Sequence, residues 1–276
     1  MIDLSQRPAS EPLLETIAEV EAFEKTPLIE RFPYTDSYNL IKDSADRFKD
    51  KAALEFLLQG LPDEPAQSVS FAELGAQVTR TANLLNELGV TTDDAVSIIL
   101  PILPQTHFAI WGAQAAGISN PINPLLEAEH IAEIVTAANA KVVICLAQSE
   151  HSDINEKVRA ALSQCASVTT LLEVNIPGLC NPGAAELSKG NFDILDFDAS
   201  IALRDSTSLA SGRKFSGEQK AAYFHTGGTT GRPKLAQLTH GNMAFLGQLM
   251  QVYTAHMERH TVLCGLPLFH IYGCII

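Results

Sequence analysis

The chain has 276 residues, 46% of them hydrophobic and only 18% charged. That is enough apolar side chain for a sizeable core, and it excludes a disordered, collagen-like or disulfide-framework protein. Its 32 acidic and 19 basic residues leave a net charge of −13. No long-range field therefore draws nucleic acid or anionic lipid to it, and an anionic ligand needs a locally built site.

The acidic N-terminal stretch, Met1 to Phe23, is broken by Pro8 and Pro12 and does not read as a targeting sequence. Ser70 followed by Glu73 predicts a capping box. Leu74, Val78, Leu85 and Leu88 then mark one face of a helix that Gly89 can stop. The run Ala95 to Leu100 predicts a strand, Gln105 to Ala116 a helix ended by Gly117, and Ile131, Ile134, Val135 and Ala138 a third helical stripe. Phe108 and Trp111, one turn apart, are expected in the core. The stretch Phe108 to Ile118 is too short to cross a bilayer and contains Gln114, so no integral membrane segment is expected. Lys141 to Leu146 predicts another buried strand, in which Cys145 is a small apolar residue. Asp153 with Glu156 is expected to cap a helix carrying Ile154, Val158 and Leu162, followed by a strand over Val168 to Leu172.

Short apolar strands alternating with helices of about a dozen residues imply an α/β fold. Its βαβ units build a largely parallel sheet covered by helices on both faces. Asn175 to Asn191 reads as a surface excursion, and the serine-rich Asp205 to Gly217 as a connection between two lobes. The expected organisation is a first lobe to about residue 204, a connection over 205–217, and the start of a second lobe over 218–276. The five cysteines (Cys145, Cys165, Cys180, Cys264, Cys274) form no CxxC pair and no cluster at metal-ligand spacing. Their odd number favours a reducing, cytoplasmic setting.

After a strand over Ala221 to His225 comes Thr226-Gly227-Gly228-Thr229-Thr230-Gly231-Arg232-Pro233-Lys234, and then a further strand over Leu235 to Leu238. Three glycines in five positions let backbone N–H groups approach an anion. Thr226, Thr229 and Thr230 add hydroxyl donors, and Lys234 adds a charge on a flexible stem. The string predicts a phosphate-binding loop. It is not the common strand–loop–helix NTPase loop, because Pro233 precedes the lysine and Leu235 replaces the magnesium-binding hydroxyl that follows it there. A ligand-free glycine hairpin would rarely need three threonines and a lysine as well.

This string resembles the phosphate loop of the adenylate-forming superfamily, which includes acyl-CoA synthetases, luciferases and nonribosomal adenylation domains. Gly227 stands where Ser is common, the form found in fatty-acyl-CoA ligases, and Leu235 where Gly is common. Val69 to Leu74, Leu84 to Leu100 (with Asp93 for a usual Gly), Gly117 to Pro124, Thr239-His240-Gly241-Asn242 and Leu266-Pro267-Leu268-Phe269-His270 resemble further family segments in the family's order.

The resemblance implies the N-terminal part of the large domain of an ATP-dependent carboxylic acid:CoA ligase. Such an enzyme forms an acyl-adenylate with release of pyrophosphate, then an acyl-CoA thioester, here on a fatty acid. It implies ATP, Mg²⁺ and coenzyme A. It places Thr226, Gly227, Gly228, Thr229, Thr230, Gly231 and Lys234 on the ATP phosphates, and His270, Tyr272 and Gly273 at the acyl-substrate pocket. The magnesium carboxylate, the ribose-binding Asp, the catalytic Lys and the small C-terminal domain are expected beyond Ile276. No catalytic or metal residue is therefore assigned within this chain, and the apolar Cys274-Ile275-Ile276 agrees with a continuing polypeptide. Two alternatives stay open: an adenylation enzyme that loads a carrier-protein thiol, and a non-catalytic nucleotide- or lipid-binding module. His225 and His240 read as structural.

Overall fold

The computed structural model describes residues 15–181, 192–226, 233–253 and 261–275. In chain order the elements begin with helices α1 (Ile17–Glu24), α2 (Leu28–Arg31) and α3 (Ser37–Phe48). A two-stranded antiparallel pair, β1 (Ala52–Phe56) and β2 (Gln67–Ser70), leads into α4 (Phe71–Glu87). The alternating part then runs β3 (Ala95–Ile99), α5 (Pro104–Ala116), β4 (Ile118–Pro121), α6 (Ala128–Ala137), β5 (Ala140–Leu146), α7 (Ile154–Leu162), β6 (Thr170–Val174) and β7 (Asp193–Asp196). It closes with α8 (Phe197–Ala202), β8 (Lys220–Thr226), β9 (Lys234–Thr239), α9 (His240–Tyr253) and α10 (Ile271–Ile275).

Seven strands form one sheet in the order β7-β6-β5-β3-β4-β8-β9. All neighbours are parallel except the terminal β8–β9 hairpin. The α/β class with a largely parallel sheet is therefore as expected. Every residue of β3 is buried, as are six of the seven residues of β5. Strands covered on both faces read as unbroken apolar runs for this reason. Helices α3, α4, α5 and α8 pack together, while α6 and α7 pair with each other and α7 lies on β5. Phe108 and Cys145 are buried as expected, and burial pushes the Cys145 thiol up. Among the described residues no helix is long and apolar enough to cross a membrane.

Local chemistry sets the helix ends, not always as the sequence suggests. Ser70 Oγ accepts from the Glu73 N–H at 3.1 Å, but Ser70 is also the last residue of β2, paired with Ala52, so only one half of the expected capping box forms. A complete box closes α1 instead, between Thr16 and Glu19. Gly89 stops α4 with a φ of +82°, and its carbonyl accepts from Lys141 Nζ at 2.5 Å. Asp153 does not cap α7, because its carboxylate is drawn to Lys157 at 2.9 Å. The strand expected over 168–172 is displaced to 170–174.

Residues 205–217 are pinned along their length. Asn83 donates from Nδ2 to the Asp205 and Ser208 carbonyls, both at 2.9 Å, and its Oδ1 accepts from the Ala210 N–H at 2.8 Å. Arg204 pairs with Glu87 at 2.8 Å, and Arg213 Nη1 donates to the Gln114 and Ala115 carbonyls at the end of α5, each at 3.0 Å. The chain leaves this strap to re-enter the same sheet at β8, where Ala222 pairs with Ser119 of β4. A buried polar string fixes that junction: Ser37 Oγ donates to Gln114 Oε1 at 2.6 Å, Gln114 Nε2 to Ser119 Oγ at 3.4 Å, and Ser119 Oγ to the Ala221 carbonyl at 3.4 Å. In a low-dielectric core such bonds select one register over its neighbours.

Candidate functional site

Because β8 is parallel to β4, its carboxyl end emerges on the same edge of the sheet as those of β3 to β7, where ligands of open α/β sheets bind. The β8–β9 hairpin opens there. Thr226 and Lys234 are its last paired residues, and the Thr226 hydroxyl donates to the Lys234 carbonyl at 3.4 Å. Both residues are exposed at the hairpin mouth. The expected phosphate-binding residues Gly227, Gly228, Thr229, Thr230 and Gly231 lie outside the described residues.

Beside the mouth stands His225, half-buried. Its Nε2 accepts a long hydrogen bond of 3.5 Å from the Asn123 N–H, in the segment that follows β4. Its ring meets Phe269 edge-on, with centroids 6.1 Å apart. Burial pushes the His225 imidazole below its ordinary pKa, and the nearby His270 adds to the effect.

The segment carrying His270 is a turn closed onto a short helix. The His270 N–H donates to the Pro267 carbonyl at 3.1 Å, and the Cys274 N–H to the His270 carbonyl at 3.0 Å. Leu268 anchors it in the core, whereas His270 and Tyr272 are exposed. The Tyr272 N–H donates to His270 Nδ1 at 3.3 Å. Gly273 lies so close to this turn that a Cβ there would fall 2.3 Å from the Pro267 carbonyl oxygen. Its small size thus serves the packing of α10 on the turn. Phe269, next to His270 in the chain, touches His225 beside the hairpin mouth, although His225 reads from the sequence as structural. The alternation of β8 carries no signal for that neighbourhood, since Asn123 and Phe269 are remote in sequence.

The far end of the hairpin is anchored separately. His240 is fully buried at the start of α9, with Nε2 3.2 Å from Arg213 Nη2 and its ring edge-on to Phe215 at 5.2 Å. Burial first, and the Arg213 charge second, push its pKa down to about 4. Its structural reading agrees with this burial. On α9, Gln248 donates from Nε2 to the Tyr34 carbonyl at 2.9 Å and accepts from the Tyr34 N–H at 3.1 Å.

A lysine ammonium and a threonine hydroxyl at a hairpin mouth suit an anionic phosphate. Among the described residues no three His, Cys, Asp or Glu side chains converge on a possible metal position. A cleft of about 820 Å³ lies at the opposite, amino edge of the sheet, lined by Asn83, Asn86, Glu87, Val90, Arg204 and Arg213 among others. It contains none of the expected site residues.

A family model described as AMP-binding enzyme matches residues 41–276. The chain belongs to this AMP-binding family. It is 32% identical over 268 residues to a marinolic acid–CoA ligase from Pseudoalteromonas sp. (strain SANK 73390), covering 95% of this chain and 39% of that protein. It is 27% identical over 231 residues to a crotonobetaine/carnitine–CoA ligase from Salmonella paratyphi A (strain ATCC 9150 / SARB42), covering 83% and 41%. The fold is similar to that of the anthranilate CoA ligase AuaEII solved in complex with anthranoyl-AMP, with a TM-score of 0.63 at 18% identity, over 83% of this chain and 38% of that one. The chain spans about two-fifths of the length of the CoA ligases it matches.

Proposed function

We propose that this chain is the N-terminal portion of an AMP-forming carboxylic acid:CoA ligase. The observation that carries the reading is the TGGTTGRPK string of an AMP-binding family member, set between Thr226 and Lys234 at the carboxyl edge of a parallel sheet. In the proposed reaction a carboxylate oxygen of the acid bonds to the α-phosphorus of ATP as the bond to pyrophosphate breaks. The thiol sulfur of coenzyme A then bonds to the acyl carbon, and AMP leaves. Magnesium, when bound, offsets charge on the leaving pyrophosphate.

This chain's own part is positioning and charge. Thr226 and Lys234, with Gly227, Gly228, Thr229, Thr230 and Gly231 between them, hold the phosphates through N–H, hydroxyl and ammonium donors aimed at the developing charge. His270 and Tyr272 border the acid. Bringing carboxylate and phosphate together is the kind of orientation that removes much of an activation barrier. The acid we assign is a fatty acid, on the Gly-Gly form of the loop. The setting we assign is the cytoplasm, on five unpaired cysteines.

The 276-residue chain by itself is proposed to be inactive. Removing even one positioned electrostatic group typically costs about 10²–10³ in rate. Acid-dependent exchange of pyrophosphate into ATP tests this directly: the reading expects none from this chain alone, and clear exchange would overturn that part of it.

A further inference from the structure

His225 at the hairpin mouth and His270, whose chain neighbour Phe269 touches the His225 ring, each accept a hydrogen bond from a backbone N–H. Asn123 donates to His225 Nε2 at 3.5 Å. That nitrogen is the acceptor, so the ring proton sits on Nδ1. Tyr272 donates to His270 Nδ1 at 3.3 Å, so the His270 proton sits on Nε2. Phe269, the chain neighbour of His270, lies edge-on to the His225 ring with centroids 6.1 Å apart. Among the described residues neither proton-bearing nitrogen has a hydrogen-bond acceptor. One residue further along the chain, Thr226 begins the phosphate loop.

We propose that His225, together with His270, presents a pair of imidazole N–H donors to the carboxylate of the acid substrate. This rests on the ligase reading and adds to it a binding residue, His225, from strand β8. The chemistry is that of an anion with two acceptor oxygens met by two neutral donors on separate elements. His225 comes from the strand that leads into the phosphate loop, and His270 from the turn anchored by Leu268. A carboxylate held between them lies next to the phosphates gripped by Thr226 and Lys234, where its oxygen must attack. Neutral donors suit this place better than a fixed cation: they orient the carboxylate without quenching its nucleophilicity. The alternative anion for the same pair is a phosphate oxygen of the nucleotide.

The test is steady-state kinetics of the full-length protein and its His225→Ala and His225→Gln variants, with ATP and a panel of fatty and aromatic acids. Loss of one charge-assisted hydrogen bond is expected to raise KM for the acid about tenfold or more in His225→Ala. KM for ATP is expected to change less than twofold, and His225→Gln, which keeps a donor, to recover most of the loss. An acid KM unchanged in an active, folded His225→Ala enzyme overturns the inference and leaves the ligase reading intact. A rise confined to the ATP KM overturns it in favour of phosphate contact. A wild-type protein that forms no AMP with any acid refutes the ligase reading, and the carboxylate assignment with it.

Discussion

Arg213 and His240 meet at 3.2 Å between guanidinium Nη2 and imidazole Nε2, joining the strap after α8 to the first residue of α9. The same guanidinium holds the last carbonyls of α5 and lies over the Phe215 ring at 4.9 Å. The base of the hairpin is thereby tied to α5. Near the other end of β8, the Asn123 N–H donates to His225 Nε2 at 3.5 Å.

This relationship makes stability depend on pH. The folded His240 has a pKa of about 4, against an ordinary 6.5. Below about pH 6.5 the unfolded chain therefore binds a proton that the folded chain refuses. The stability linked to His240 is fully present above pH 6.5 and is lost as pH falls from there towards 4. Between pH 7 and pH 5 the loss is about 2 kcal/mol from this residue. Urea unfolding of wild type and His240→Gln at both pH values should show the variant losing less on acidification by about that amount.

Lys234→Ala should leave the fold almost unchanged, because Lys234 is exposed at the first position of an edge strand. Exposed substitutions away from special features stay within about 0.5 kcal/mol. Affinity for ATP in the full-length protein should fall about tenfold or more, the usual worth of a charged hydrogen-bond donor. Thermal melts alongside ATP titrations check both. A large drop in melting temperature would instead assign the lysine a structural role.

Arg159→Ala should strongly destabilise the fold where α7 meets β6. Arg159 Nη2 lies 2.7 Å from Glu173 Oε1, with only 13% and 19% of the two side chains exposed. Asn155 donates to the same oxygen at 2.7 Å and accepts from Arg159 Nε at 2.9 Å. Removing the arginine leaves a largely buried carboxylate without its cation, at a cost of about 3 kcal/mol. Denaturant midpoints measure it, and a loss below about 1 kcal/mol would count against the network.

Gly273→Ala should disturb the site more than the fold. The added methyl would meet the Pro267 carbonyl at 2.3 Å, so α10 or the turn that carries His270 must shift. Such overpacking costs about 1–3 kcal/mol locally. Imidazole NMR signals of His270 and His225 are expected to move, while amide signals of β3 and β5 stay in place. Unmoved imidazole signals would contradict the packing described here.

How much of this was legible in the chain follows from what is local. The central strands were, because a strand buried on both faces is a bare apolar run, as in Val142-Val143-Ile144-Cys145-Leu146. Strand β4 was not, since Ser119, Asn120 and Pro121 disguise it, and Ser119 Oγ and Asn120 Nδ2 find the Ala221 carbonyl and Ser97 Oγ only in the folded sheet. Edge strand β7, Asp193–Asp196, is too exposed to carry a pattern. At Ser70 the half of the capping box that accepts from Glu73 was legible and the returning half was not, and at Asp153 Lys157 takes the carboxylate that sequence alone offers to the helix. The phosphate-loop string was plain from its residue types. Its neighbours His225, Asn123 and Phe269 were not, because they meet only once β8 is laid beside β4.

The central claim concerns which bond of ATP is broken. Purified full-length protein, incubated with ATP, Mg²⁺, coenzyme A and a panel of carboxylic acids, should yield AMP and pyrophosphate in step with acyl-CoA, resolved by ³¹P NMR and chromatography. Acid-dependent release of ADP and orthophosphate instead would contradict it.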